Sequence, residues 1–173
     1  MRPGRCADAG YFTADLALAA DRVGADYAVA AKRNSALWRE LAAVPADAWT
    51  PARAMPGAQV AVIDYAPAGW PPDAYTVVRR VRVEAADIST DSRSRRRRTI
   101  AKDQLALALG GELDHAWAVS FIVTNLPTST PADVVALECW VSGPHRHRGT
   151  VPRGQARRRA QPPPSGHTAV NTL

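Results

Sequence analysis

The stretch from Pro144 to Pro164, PHRHRGTVPRGQARRRAQPPP, limits how much of this chain can fold. Five prolines interrupt it. A proline inside a helix removes a backbone donor and clashes with the preceding turn. The stretch also holds six arginines and no acid, so it offers no apolar period to bury. Written back into permitted codons and read one base later, it becomes R-T-D-I-E-E-R-F-R-E-A-K-L-G-A-A-L-N-H-L-P. After that, Ser165-Gly166-His167 continues in register. The shifted text is an amphipathic helix with balanced acids and bases. The printed segment is therefore read as the product of a shifted reading frame. The alternative is a genuine basic, proline-rich tail. In either case residues 143 to 165 are expected to be irregular.

This segment also governs the charge. A net charge of +6 and a pI near 10 suggest a nucleic-acid or anionic-surface partner. Six of the 22 Lys and Arg fall inside the segment and none of the 16 acids does, so the rest of the chain is neutral. A length of 173 residues suits about one domain with a real core. Two cysteines, Cys6 and Cys139, make no disulfide framework and suit a reducing cytoplasm. The opening MRPGRCADAG lacks the apolar region of a signal peptide. The longest strongly apolar run, around Trp117 to Val123, is far too short to span a membrane. A cytoplasmic chain with no membrane partner is expected.

Periodicity divides the remainder. Arg5 to Ala7 reads as a short buried strand. Thr13 is a plausible N-cap for a helix with Leu16, Ala20 and Val23 on one face, stopped by Gly24. Tyr27 to Ala31 reads as a strand ending in Lys32 and Arg33. Asn34 caps a second helix bearing Leu37, Leu41 and Val44, closed by Pro45. Strand, helix, strand, helix is an α/β opening. Ala46 to Ala58 reads as loop. Gln59 to Tyr65 and Tyr75 to Glu84 are strand candidates. The second sets Val77, Arg79, Val81 and Val83 against Val78, Arg80 and Arg82, which predicts an antiparallel strand with one wet face. Asp103 to Leu109 suits a short helix and Trp117 to Val123 a strong strand. Thr130-Pro131-Ala132-Asp133 starts a helix whose apolar side carries Val134, Leu137, Trp140 and Val141.

Five short runs, taken in order, carry a resemblance. They are Ala7-Asp8-Ala9-Gly10-Tyr11-Phe12, Asp47-Ala48-Trp49-Thr50-Pro51, Thr124-Asn125-Leu126, Ala132-Asp133-Val134-Val135-Ala136-Leu137-Glu138, and the closing SGHTAVNTL. With the frame-shifted R-T-D-I-E-E-R-F-R-E-A-K, the chain resembles the DDE transposases of bacterial insertion sequences over nearly its whole length. The resemblance implies an α/β fold: a partial RNase H-like core, a β-rich insertion, then a helix and an irregular basic C-terminal tail. On this plan residues 1–45 are core, 46–128 insertion, 129–142 the start of the core helix and 143–173 the aberrant tail.

The resemblance further implies a chemistry. In that family three carboxylates hold two divalent cations, usually Mg²⁺, about 4 Å apart, which activate the attacking hydroxyl and stabilise the leaving one. Asp8 matches the second acid and is the candidate catalytic and metal-binding residue. The first acid would lie upstream of Met1. The codon of the third would straddle Arg148 and Gly149, and that of the partner lysine Gln155 and Ala156. The expectation is a fragment of a DNA transposase, inactive as it stands, whose intact parent works on transposon ends and target DNA and could form an oligomer.

Lys32, Arg33, Arg95, Arg96, Arg97 and Arg98 are the candidate DNA-binding residues, with Arg93 beside them. A solvated charge run is the competing reading. Trp49, Trp70, Trp117 and Trp140 read as packing residues rather than base-stacking platforms. His145 and His147 are a weak metal pair within the shifted segment. Two alternatives to the transposase fragment remain: a non-catalytic basic nucleic-acid-binding protein, and the product of a decayed gene with no role.

Overall fold

Crossover chemistry decides the first third of the fold. In the computed structural model, which describes residues 4–7 and 9–142, strand β1 (Gly4–Ala7) pairs in parallel with β2 (Asp26–Ala30), Ala7 lying opposite Val29. A parallel pair cannot be joined by a tight turn. Helix α1 (Ala14–Arg22) supplies the crossover and buries Ala17 completely against the sheet. It ends where Gly24 takes φ +61°, a left-handed conformation that costs glycine nothing. Thr13 holds the N-cap position with extended backbone, yet its hydroxyl makes no capping bond.

Helix α2 (Ser35–Ala42) follows β2 directly. Its cap is as expected: Asn34 Oδ1 accepts the Leu37 amide at 2.9 Å. The chain then runs through β3 (Thr50–Pro51), β4 (Ala58–Ile63), β5 (Tyr75–Glu84), α3 (Lys102–Leu109), β6 (His115–Thr124) and α4 (Pro131–Ser142). The region expected as loop, 46 to 58, contains the short strand β3. The six strands form one mixed sheet in the order β1-β2-β6-β5-β4-β3, antiparallel at every pair except the first.

The clamp between β2 and β6 is made by polar side chains. Thr124 Oγ1 donates to the Tyr27 carbonyl, and Asn125 Oδ1 accepts the Tyr27 amide at 2.8 Å while its Nδ2 donates to the Ala25 carbonyl. The Thr-Asn pair thus carries the ladder past the last residue of β6.

Both sheet faces are covered. On one, α4 packs Val134, Leu137 and Val141 against Ala28, Val60, Val77 and Ile122. Its start is a reciprocal cap: Asp133 Oδ2 accepts from the Thr130 amide at 2.9 Å, and Thr130 Oγ1 accepts from the Asp133 amide at 3.2 Å. On the other face α2 sets Leu37 among Ala61, Val78, Val119 and Phe121, and α1 packs beside Tyr27 and Val29. Farther along, Ile88, Ile100 and Ala108 close over Val83 and Ala116.

This double cover corrects one expectation. Strand β5 was expected to have one wet face. Instead Val77 and Val78 are both buried, and Arg79 and Arg80, on opposite faces, are each partly covered. The reason is tertiary: two helices bracket the strand, so alternation along it does not separate core from water. Arg79 is held by a buried acid on α4. Glu138, 1% exposed, places Oε1 3.6 Å from Arg79 Nη1 and accepts the Ala54 amide on Oε2 at 2.9 Å.

Candidate nucleic-acid interface

Strand β2 reaches β6 only at residues Ile122 to Thr124, which leaves the edge of β6 open below Phe121. An open edge needs a partner or a cover. The chain provides three. The Ala31 amide donates to the Phe121 carbonyl at 2.9 Å, Ile100 forms an antiparallel bridge with Ala118, and Gln104 Oε1 accepts the Trp117 amide at 3.1 Å. Residues 97 to 104 are thereby drawn alongside β6, facing α2 across a gap.

That gap is a cavity of about 660 Å³. Its cationic lining comes from four places in the sequence: Arg33 after β2, Arg80 on β5, Arg98 in the turn before Ile100, and Lys102 at the start of α3. Asp103 is the one acid among the residues that line it. Arg33 and Arg98, 65 positions apart, are in direct contact, since Arg33 Nη1 donates to the Arg98 carbonyl at 3.1 Å. Burial lowers the affinity of the Arg33 guanidinium for its proton, and the charges of Arg98 and Arg95 lower it further. These like charges are held close by the backbone, against their repulsion.

Arg80 forms the rigid part of the cavity. Its guanidinium carbon lies 3.7 Å from the ring centre of Trp49 and 4.2 Å from that of Trp117. Such contacts contribute roughly 0.5–2 kcal/mol each, more where water is excluded. The register explains the sandwich. Arg80 lies opposite Val119 and Arg82 opposite Trp117, so the indole sits diagonally across from Arg80, within reach of a large ring. On the other flank Gln59 lies opposite Arg80 and accepts its Nε–H at 2.8 Å. Burial pushes the Arg80 pKa below that of a free arginine.

The candidate residues separate in this setting. Arg33 and Arg98 line the cavity and Arg95 adds to its field. Arg97 is committed elsewhere: its Nη1 donates to the carbonyls of Ser89 at 3.1 Å and Thr90 at 2.7 Å, which staples the loop. Lys32 and Arg96 are exposed and are not part of the cavity lining. Trp49 and Trp117 pack on Arg80, while Trp70 packs on Phe12 and Tyr27. The side chain of Trp140 lies outside the described residues, as do Asp8 and the whole 143–173 tail with His145 and His147.

Sequence reasoning missed Arg80 and Lys102. Arg80 shares a parity with buried Val78, which is the signal in the sequence that could find it. Among the described residues no three His, Cys, Asp or Glu side chains group so as to hold a metal ion. No described helix is long and apolar enough to cross a membrane. No protein family, curated protein or solved structure matches the chain.

Proposed function

We propose that this chain is a fragment of a DDE-type insertion-sequence transposase, one that binds DNA but does not cut it. The observation that carries the reading is the order of elements. A parallel β1–β2 pair comes first, antiparallel strands extend the sheet, and a helix beginning at Pro131 returns to its face. That is the order the motif resemblance calls for, with Asp8 directly following β1 in sequence and Lys32 and Arg33 following β2. Carboxyl ends of parallel strands are where α/β sheets collect their ligands.

In the intact parent, Mg²⁺ held by three carboxylates would activate the attacking hydroxyl and stabilise the leaving oxygen. On this reading the chain retains only Asp8 of the three, and one carboxylate cannot position two cations for in-line transfer. The test is a Mg²⁺-dependent nicking assay on transposon-end DNA. The 173-residue chain should be inert. A protein with the frame restored and the upstream segment added should cleave. Asp8→Asn in that repaired protein should abolish cleavage and leave DNA binding nearly unchanged. Cleavage by the chain itself, or undiminished cleavage by the repaired Asp8→Asn protein, would overturn the assignment. The gene offers an independent check: a base gained near codons 141 to 144 and one lost near 164.

A second reading is favoured by the cationic cavity: a basic nucleic-acid-binding protein with no catalytic parent. Its contacts would be the Arg93 to Arg98 run and the basic tail, so it predicts ordinary in-frame codon bias through the tail and sequence-independent DNA binding that weakens when residues 143 to 164 are deleted.

A further inference from the structure

We propose that the cavity between α2 and residues 97 to 104 holds a phosphodiester group of a nucleic-acid strand, gripped by Arg33, Arg80 and Arg98. This rests on the nucleic-acid reading above and assigns it a place.

Three observations converge. The first is charge. Arg33, Arg80, Arg98 and Lys102 face a single acid, Asp103, across the cavity. Cations gathered in this way repel one another, and a bound anion removes that cost. The second is preorganisation. Arg80 is clamped between two indoles, and Gln59 is its one hydrogen-bond partner among the described residues. Its Nε is occupied, and among the described residues its two terminal nitrogens make no hydrogen bond. A guanidinium fixed in this way presents the planar fork that matches phosphate oxygens, and little side-chain entropy is left to lose on binding. The third is size: about 660 Å³ lies within the range of ligand-binding cavities.

The same geometry says what is not read. The indole faces of Trp49 and Trp117 that meet Arg80 are already occupied, so a base cannot stack between those two rings. The site therefore takes the backbone and is indifferent to sequence. The other charged clusters do not compete. Glu138 faces Arg79 on the opposite side of the sheet, and Arg82 is met by Glu84 and Asp114.

The test uses the full chain and a fluorescein-labelled oligonucleotide of arbitrary sequence. Anisotropy reports binding anywhere on the protein. In a background carrying Trp70→Phe and Trp140→Phe, tryptophan emission reports the cavity, because the remaining Trp38, Trp49 and Trp117 stand in its wall and residues 143–173 contain no tryptophan. The expected result is a saturable emission change that tracks anisotropy. Arg33→Gln with Arg98→Gln should weaken the emission-linked binding at least about tenfold, as expected for lost hydrogen bonds to a charged group. The salt slope should fall by about one for each arginine removed. Arg22→Gln, at an exposed position on α1 outside the cavity lining, is the surface control and should do neither. Arg98→Gln alone, at an exposed position, serves if the double variant does not fold.

Rising anisotropy with flat emission, or unchanged binding in the double variant, would overturn the cavity and leave the nucleic-acid reading standing. No DNA binding by the chain at all would sink both. Emission that responds to inorganic phosphate but not to the oligonucleotide would assign the site to a small phosphate and overturn the strand.

Discussion

Glu138→Leu is the most informative single perturbation of the fold. Glu138 is 1% exposed, and the Arg79 side chain that it faces at 3.6 Å is 12% exposed. Removing the carboxylate takes a charged partner away from a guanidinium packed between α4 and the sheet. Breaking a buried pair from one side costs about 3–5 kcal/mol, whereas replacing both partners with apolar residues of similar volume is often neutral. The Ala54 amide also loses its acceptor, but Ala54 is exposed and water can replace it, so that loss adds little. Glu138→Leu should therefore cost about 3–4 kcal/mol, a large part of the 5–15 kcal/mol that holds a typical domain together. Arg79→Met combined with Glu138→Leu should recover most of the loss, to within about 1 kcal/mol of the parent. Urea titration followed by tryptophan emission measures both. With a slope of about 1–3 kcal/mol per molar, the single variant should unfold more than about 1 M earlier than the parent. If Glu138→Leu matches the parent, or if the double variant is as unstable as the single, the pair does not act as a coupled unit.

Three further outcomes follow from local chemistry. Burial holds the Tyr27 hydroxyl protonated well above its ordinary range, with the charges of Asp73 and Asp21 adding to the effect. Free tyrosine ionises near about pH 10, so above that pH the unfolded chain gives up a proton that the folded chain keeps, and stability falls as pH rises. Because that hydroxyl has no partner among the described residues, Tyr27→Phe should be neutral at pH 7 and should flatten the alkaline decline in a series of melts. A loss above about 2 kcal/mol at neutral pH would mean that the hydroxyl is satisfied. Asn34→Ala should cost about 1 kcal/mol by removing the acceptor for the Leu37 amide, while Asn34→Asp should retain most of it; chemical denaturation separates the two. Leu37→Ala, at a fully buried position, should cost about 2–5 kcal/mol in the same assay, and a change under about 1 kcal/mol would refute the packing of α2 on the sheet.

Local signals were legible wherever a short-range rule decides the outcome. Asn34 and Thr130 announced helix starts because capping involves residues within one turn of each other. The positive φ of Gly24 could be read for the same reason. Thr13 shows the limit of the rule: a residue with the right side chain occupies the cap position and makes no bond. The strand candidates on β4, β5 and β6 emerged from their β-branched runs, β5 with its expected ends and β4 and β6 with ends shifted by one or two residues.

What sequence alone determined here is the order of every element but the short strand β3: strand, helix, strand, helix, then strands with one short helix among them, then a helix from Pro131, with a proline-rich segment after it. These follow from backbone sterics and from side-chain period, both local properties. Only the tertiary structure decided which side of each strand meets water, because that depends on which helices pack where. Arg79 and Arg80 are adjacent on one strand, yet α4 seals one beside Glu138 and two indoles clamp the other at the edge of a cavity. The run of arginines was visible, but its division was not. Arg97 is spent on backbone carbonyls and Arg98 joins Arg33 because the open edge of β6 draws residues 97 to 104 across the sheet. The meeting of charges 65 residues apart is a consequence of strand pairing, and strand pairing is the least local interaction in the fold.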